Sequence, residues 1–109
     1  MRMIASVSLA MLVGTILLPD NAAVAQEARE RRAGERLSHD LCAECHIVSD
    51  TQRGPALDGV PPFGELARSK RTNAQLRAWL TDPHPPMPQL PLSEREIASV
   101  IAYIRSFSD

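Results

Sequence analysis

A chain of 109 residues with a formal charge of −1 and an isoelectric point near 6.3 carries no basic surface of the kind that nucleic acids select. Prolines number 9, and five of them fall within residues 83–91, the stiffest loop of the chain. One domain fits this length, and because so short a chain hides only about 60 to 65% of its unfolded surface, a disulfide or a cofactor is expected to supplement the core.

In chain order, the first segment is MRMIASVSLAMLVGTILLPDNAAVAQ. A positive charge at Arg2, an uncharged run from Met3 to Leu18, a break at Pro19 and the small-residue triplet Ala23-Val24-Ala25 form the pattern of a secretory signal cut after Ala25. That predicts a signal peptide over 1–25 and a mature domain over 26–109. A spanning helix needs about 20 apolar residues, and this run, interrupted by Gly14, is shorter.

No stretch alternates like a strand, while four show helical spacing, so the fold class is all-α with three to four helices. The first helix is predicted from about Glu27 into the cysteine segment, with Ala33, Leu37 and Leu41 on one side. The alternating charges from Glu27 to Arg36 read as its solvated face.

Cys42-Ala43-Glu44-Cys45-His46 follows, with the chain's two cysteines three positions apart and a histidine directly after. This is the attachment pattern of a c-type haem. Positions i, i+3 and i+4 share one side of a helical turn, so both thiols can reach the vinyl groups on one haem edge while the imidazole reaches the iron. The competing readings are a disulfide or dithiol redox pair, and a zinc site. A dithiol centre expects a βαβ context that this chain lacks, and zinc needs about four ligands where His39 and His84 are the remaining candidates.

The first of two proline-bearing connections, Arg53 to Leu57 with Pro61-Pro62 following, leads to a short helix or turn around Phe63 to Ser69 and a basic group at Arg68, Lys70 and Arg71. Thr72-Asn73-Ala74-Gln75 is a capping box that opens a third helix, with Leu76, Trp79 and Leu80 on one face and an end near Asp82 imposed by Pro83. The fourth helix opens on a second capping box, Ser93-Glu94-Arg95-Glu96, with Leu92 and Ile97 as a hydrophobic staple and Ile97, Val100, Ile101 and Ile104 as its stripe.

Between these helices lies PHPPMPQLP, residues 83–91, with Met87 at its centre. After signal cleavage Met87 is the sole methionine, held in the stiffest loop of the chain. A thioether is a weak, neutral ligand whose place opposite a histidine raises the potential of haem iron, and each well-placed proline removes roughly 0.4 to 1 kcal/mol of unfolded-state freedom. Met87 is therefore read as the second axial ligand, against the alternatives of a gap-filling core residue or a partner-docking loop. His84 is the competing ligand, and His39 is read as solvent-facing.

With these motifs in place, residues 34–107 resemble a small class I cytochrome c. Gly34 matches the glycine of the first helix where the last helix crosses closely, and Ile101 to Ile104 match that last helix with Tyr103 near the crossing. Gly54-Pro55-Ala56-Leu57 resembles the Gly-Pro-x-Leu turn, which implies that the Pro55 carbonyl orients His46. Trp79 falls in the segment where an aromatic residue packs against the haem on the methionine side. Two positions depart: Ser38 stands where the family often has an aromatic residue, with Leu37 in part replacing it, and Phe63 is the only aromatic residue where long-chain members have a tryptophan.

The resemblance implies a cytochrome c fold whose proline-rich loops wrap one haem c, attached covalently through Cys42 and Cys45 and ligated by His46 and Met87. It further implies a one-electron carrier and not an enzyme, while the signal pattern predicts a soluble, periplasmic protein, expected as a monomer. It would serve redox proteins, with a dehydrogenase as donor and an oxidase or another cytochrome as acceptor. A dedicated haem subunit of one dehydrogenase complex and a haem sensor or small peroxidase with a labile sixth ligand are the alternatives.

Overall fold

The computed structural model describes residue 14 and residues 20–53, 57–83 and 85–108. Among them the secondary structure is helical: α1 (Asn21–Leu41), α2 (Phe63–Arg68), α3 (Asn73–Thr81) and α4 (Glu94–Arg105), followed by a 3-10 turn at Ser106–Ser108. No strand occurs among the described residues, in agreement with the all-α expectation.

Helix α1 starts at Asn21, earlier than Glu27, because the Asp20 carboxylate caps the Ala22 N–H at 3.1 Å and the alanines that follow favour helix. Its buried line is also displaced by one position from the apolar stripe. Gly34 and Ser38 are buried, whereas Leu37 flanks them and Leu41 is 40% exposed. The reason is the close crossing with α4: a Cβ built on Gly34 would lie 2.5 Å from the Ser99 carbonyl carbon and 2.9 Å from Tyr103 Cβ. Only small residues fit that line. Ser38 turns its hydroxyl back to donate to the Gly34 carbonyl at 2.7 Å, so no polar group is stranded where the aromatic residue would have stood.

Both capping boxes form as read. Thr72 and Gln75 exchange hydrogen bonds at the start of α3, as do Ser93 and Glu96 at the start of α4. Leu92 and Ile97 join one apolar cluster, which fits their role as a staple. The α4 stripe of Ile97, Val100, Ile101 and Ile104 is buried together with Tyr103.

Arg105 fastens the end of α4 to the rest. Its Nε donates to Asn73 Oδ1 at 2.7 Å, and its terminal nitrogens donate to the carbonyls of Ala67 at 3.1 Å and Arg71 at 2.5 Å. One side chain thereby ties the end of α2, the connection after it and the start of α3 to α4. The result is a scaffold that leaves α2, α3 and α4 facing the end of α1, where the cysteine segment begins.

Candidate functional site

The end of α1 hands directly into the site. The Cys42 N–H donates to Ser38 O at 2.9 Å, and the Cys42 carbonyl then accepts from both Cys45 N–H (3.1 Å) and His46 N–H (2.9 Å). One tight turn therefore carries both cysteines and the histidine, as the spacing predicted. The two sulfurs are not joined to each other. Cys42 is buried, and burial, with Cys45 adding, pushes its thiol up to about 11, so it stays neutral at ordinary pH.

His46 Nδ1 lies 2.7 Å from the Pro61 carbonyl. A carbonyl only accepts, so Nδ1 is the donor of this bond and Nε2 is the ring nitrogen left for a metal. This is the orienting bond that a ligand histidine needs. Pro55, for which the resemblance implied that role, lies outside the described residues, and His84 does too. The Phe63 ring packs against the imidazole with centroids 5.6 Å apart, and Tyr103 meets Phe63 edge-on at 6.1 Å.

A cavity opens over this turn, with about 1210 Å³ of open space including the part continuous with solvent. One wall is Leu41, Cys42, Cys45 and His46; a second is Leu57, Val60, Pro61 and Phe63; a third is Leu66, Leu76, Trp79 and Leu80 from α2 and α3. Pro86, Met87, Pro88 and Leu90 of the proline-rich loop line it as well, with Ile104 from α4. Met87 is half-buried against the core. Trp79 is 37% exposed and holds the Arg71 guanidinium over its ring at 4.7 Å, so Trp79 lies at the rim. The lining is apolar apart from Glu44 and His46, and its donor set is one imidazole nitrogen and soft sulfur. A large, flat, apolar macrocycle with a central metal suits that composition. His39 is exposed and away from these walls.

Sequence reading missed Gln52. Its side chain donates to the carbonyls of Ala43 (3.1 Å) and His46 (3.0 Å) and accepts from Val48 N–H (2.9 Å). A lone glutamine in a loop offers no periodicity or spacing, and its three partners are backbone groups, so no pattern of side chains announces it.

A family model for Cytochrome c matches residues 32–108. Cytochrome c-552 from Bradyrhizobium diazoefficiens is 36% identical over 96 residues, which cover 87% of this chain and 88% of that protein. No solved structure matches the chain. The matched span contains the whole Cys42-to-His46 turn, all of α4 and the part of α1 that carries Gly34 and Ser38. The chain therefore belongs to the cytochrome c family and carries a covalently bound haem c, for which Cys42 and Cys45 are the attachment cysteines.

Proposed function

We propose that this protein is an exported one-electron carrier in which His46 and Met87 are the axial ligands of the haem iron. The observation that carries this is a single apolar cavity lined by both attachment cysteines, by an imidazole whose Nδ1 proton is already committed to Pro61, and by Met87. The haem supplies an iron that changes oxidation state by one electron. Every other part of the task belongs to the chain.

Cys42 and Cys45 fix one edge of the ring and set its rotation. His46, held by Pro61, offers Nε2 in a constant direction, and the Phe63 ring beside it limits its swing. Met87 contributes a weak neutral sulfur, kept in reach by the prolines on either side of it. With His46 and Met87 both bound to the iron, no position would be left for a substrate, which supports transfer of electrons over turnover. The apolar walls would limit water around a bound haem, which favours small changes in its surroundings between oxidation states.

The exposed rim residues Leu41, Leu57 and Trp79 supply a small apolar contact for redox partners, a donor such as a dehydrogenase and an acceptor such as an oxidase or another cytochrome. Brief encounters of this kind use interfaces at the small end of the range. Export is supported by the N-terminal signal pattern, and among the described residues everything up to Glu27 is exposed, so a cut after Ala25 takes no buried residue with it. No described helix is long and apolar enough to cross a membrane.

The test is a visible spectrum of the mature protein made in a haem-attaching, export-competent host. Oxidised wild type is expected to show a methionine-to-iron band that Met87→Ala abolishes, and reduced wild type is expected to ignore carbon monoxide. A band that survives Met87→Ala, or ready carbon monoxide binding by wild type, would remove Met87 from the iron and the closed-site argument with it.

A further inference from the structure

The segment that carries His46 is held through its own carbonyls. Four in succession are each taken by a donor from a different place: Leu57 N–H on Cys45 (3.3 Å), the Gln52 amide on His46 (3.0 Å), Phe63 N–H on Ile47 (2.9 Å) and the Tyr103 hydroxyl on Val48 (2.5 Å). Two of these donors are backbone groups, and Tyr103 is placed by α4 whatever the site requires. Gln52 differs. It is a half-buried loop residue, and all of its side-chain hydrogen bonds go to one short stretch: Ala43 between the two cysteines, His46 itself, and Val48 just beyond.

We propose that Gln52 is a positioning residue for His46, one that fixes the plane of the imidazole and the shape of the Cys42-to-Cys45 turn against the haem. The inference rests on His46 as the proximal ligand. A histidine ring hangs from its backbone by two rotatable bonds, so two anchors determine its plane: the position of the backbone and the fate of Nδ1. Pro61 supplies the second. Gln52 completes the first, because its side chain bonds the His46 carbonyl directly and the chain on both sides of it, where the other donors bond only neighbouring carbonyls. Without Gln52 the His46 carbonyl loses its donor and the turn before it loses a clamp, so the ring's plane shifts while Pro61 still holds Nδ1.

The chemistry selects this residue type. The site asks for two N–H donors and one acceptor at the end of a three-carbon reach, which only glutamine provides. Glutamate keeps the acceptor for Val48 and sets an oxygen against the carbonyls of Ala43 and His46. Asparagine is one carbon short.

The experiment uses the haem-loaded protein and compares wild type with Gln52→Glu, Gln52→Leu and the remote capping variant Ser93→Ala. Two quantities are read: the pattern of haem methyl proton shifts in the oxidised protein, which reports the axial imidazole plane, and the midpoint potential. Both Gln52 variants are expected to reorder the methyl shifts and to move the potential. Ser93→Ala is expected to lower the thermal midpoint while leaving both readouts at their wild-type values. Should Gln52→Leu fail to load haem, the near-isosteric Gln52→Glu decides.

Wild-type methyl shifts and potential in the Gln52 variants would overturn the inference and reduce Gln52 to a loop fastener. A wild type whose methyl shifts show no axial imidazole would overturn the inference together with the ligand assignment beneath it. The two failures are distinguishable because only the second touches wild type.

Discussion

Tyr103 shows how one side chain can join the site to the frame. Its ring contacts Phe63 and Phe107 edge-on, and its hydroxyl closes the carbonyl of Val48, a residue with no exposed surface. Tyr103→Phe leaves that carbonyl without its donor, an expected loss of about 1 to 3 kcal/mol in denaturant unfolding at neutral pH. Burial raises the phenol's pKa, with Glu35 and Asp50 adding to the effect. A raised folded value means that the neutral phenol is the form the fold prefers. Its contribution is complete below the ordinary tyrosine pKa and disappears as pH rises through the higher folded one. Unfolding free energies from neutral to strongly alkaline pH should therefore fall in wild type by a step that Tyr103→Phe lacks; equal slopes in the two proteins would refute the assignment. From sequence, Tyr103 could be placed near Gly34 through its position in the last helix. Its bond to Val48 could not, because the acceptor is a backbone atom brought close only by the finished fold, and Gln52 and Arg105 escaped notice for the same reason.

At the scale of elements, legibility follows the kind of interaction that builds each one. Helices α3 and α4 begin where their capping boxes say, since a cap is a contact between residues three apart and needs no tertiary structure. Helix α1 was read less well: its decisive line, Gly34 and Ser38, is made of small residues that a search for apolar stripes passes over. Burial there comes from how near α4 approaches and not from hydrophobicity. The cap of α4 carries its own pH dependence. Glu96 accepts from the Ser93 backbone N–H at 2.7 Å, and that bond, aided by the Ser93 hydroxyl, holds its carboxyl below the usual range. A lowered folded value contributes stability above the ordinary glutamate pKa and loses it as pH falls through the lower one. Glu96→Gln keeps the acceptor without the titration, so its thermal midpoint should vary less than that of wild type on acidification, followed by circular dichroism. Ser93→Ala removes the cap at any pH and should cost about 1 kcal/mol; no measurable loss would mean that packing of Ile97 and Val100 alone fixes the helix start.

The whole molecule raises the question of what its core consists of. Among the described residues, Cys42, Phe63, Leu66, Leu76, Leu80 and Ile104 are half of the buried apolar ones, and each of them also lines the cavity. These side chains therefore pack on one another with one face and would pack on a haem in the cavity with the other. Remove that group and the inner faces lose their contacts outright or collapse inward, and either course costs more than a chain of this size has to spare. Helix α4 keeps its caps and its seat on α1, yet an isolated helix of 12 residues is marginal in water, so neither local signal nor the single crossing is enough to hold the rest. Cys42→Ser combined with Cys45→Ser, which deprives the chain of both tethers, is accordingly expected to give a far-ultraviolet spectrum with little helix and no cooperative thermal transition. Wild type from the same host should melt in one step. A compact, helical and cooperatively melting double variant would mean that polypeptide packing suffices, and the view of the haem as the larger part of this core would have to be given up.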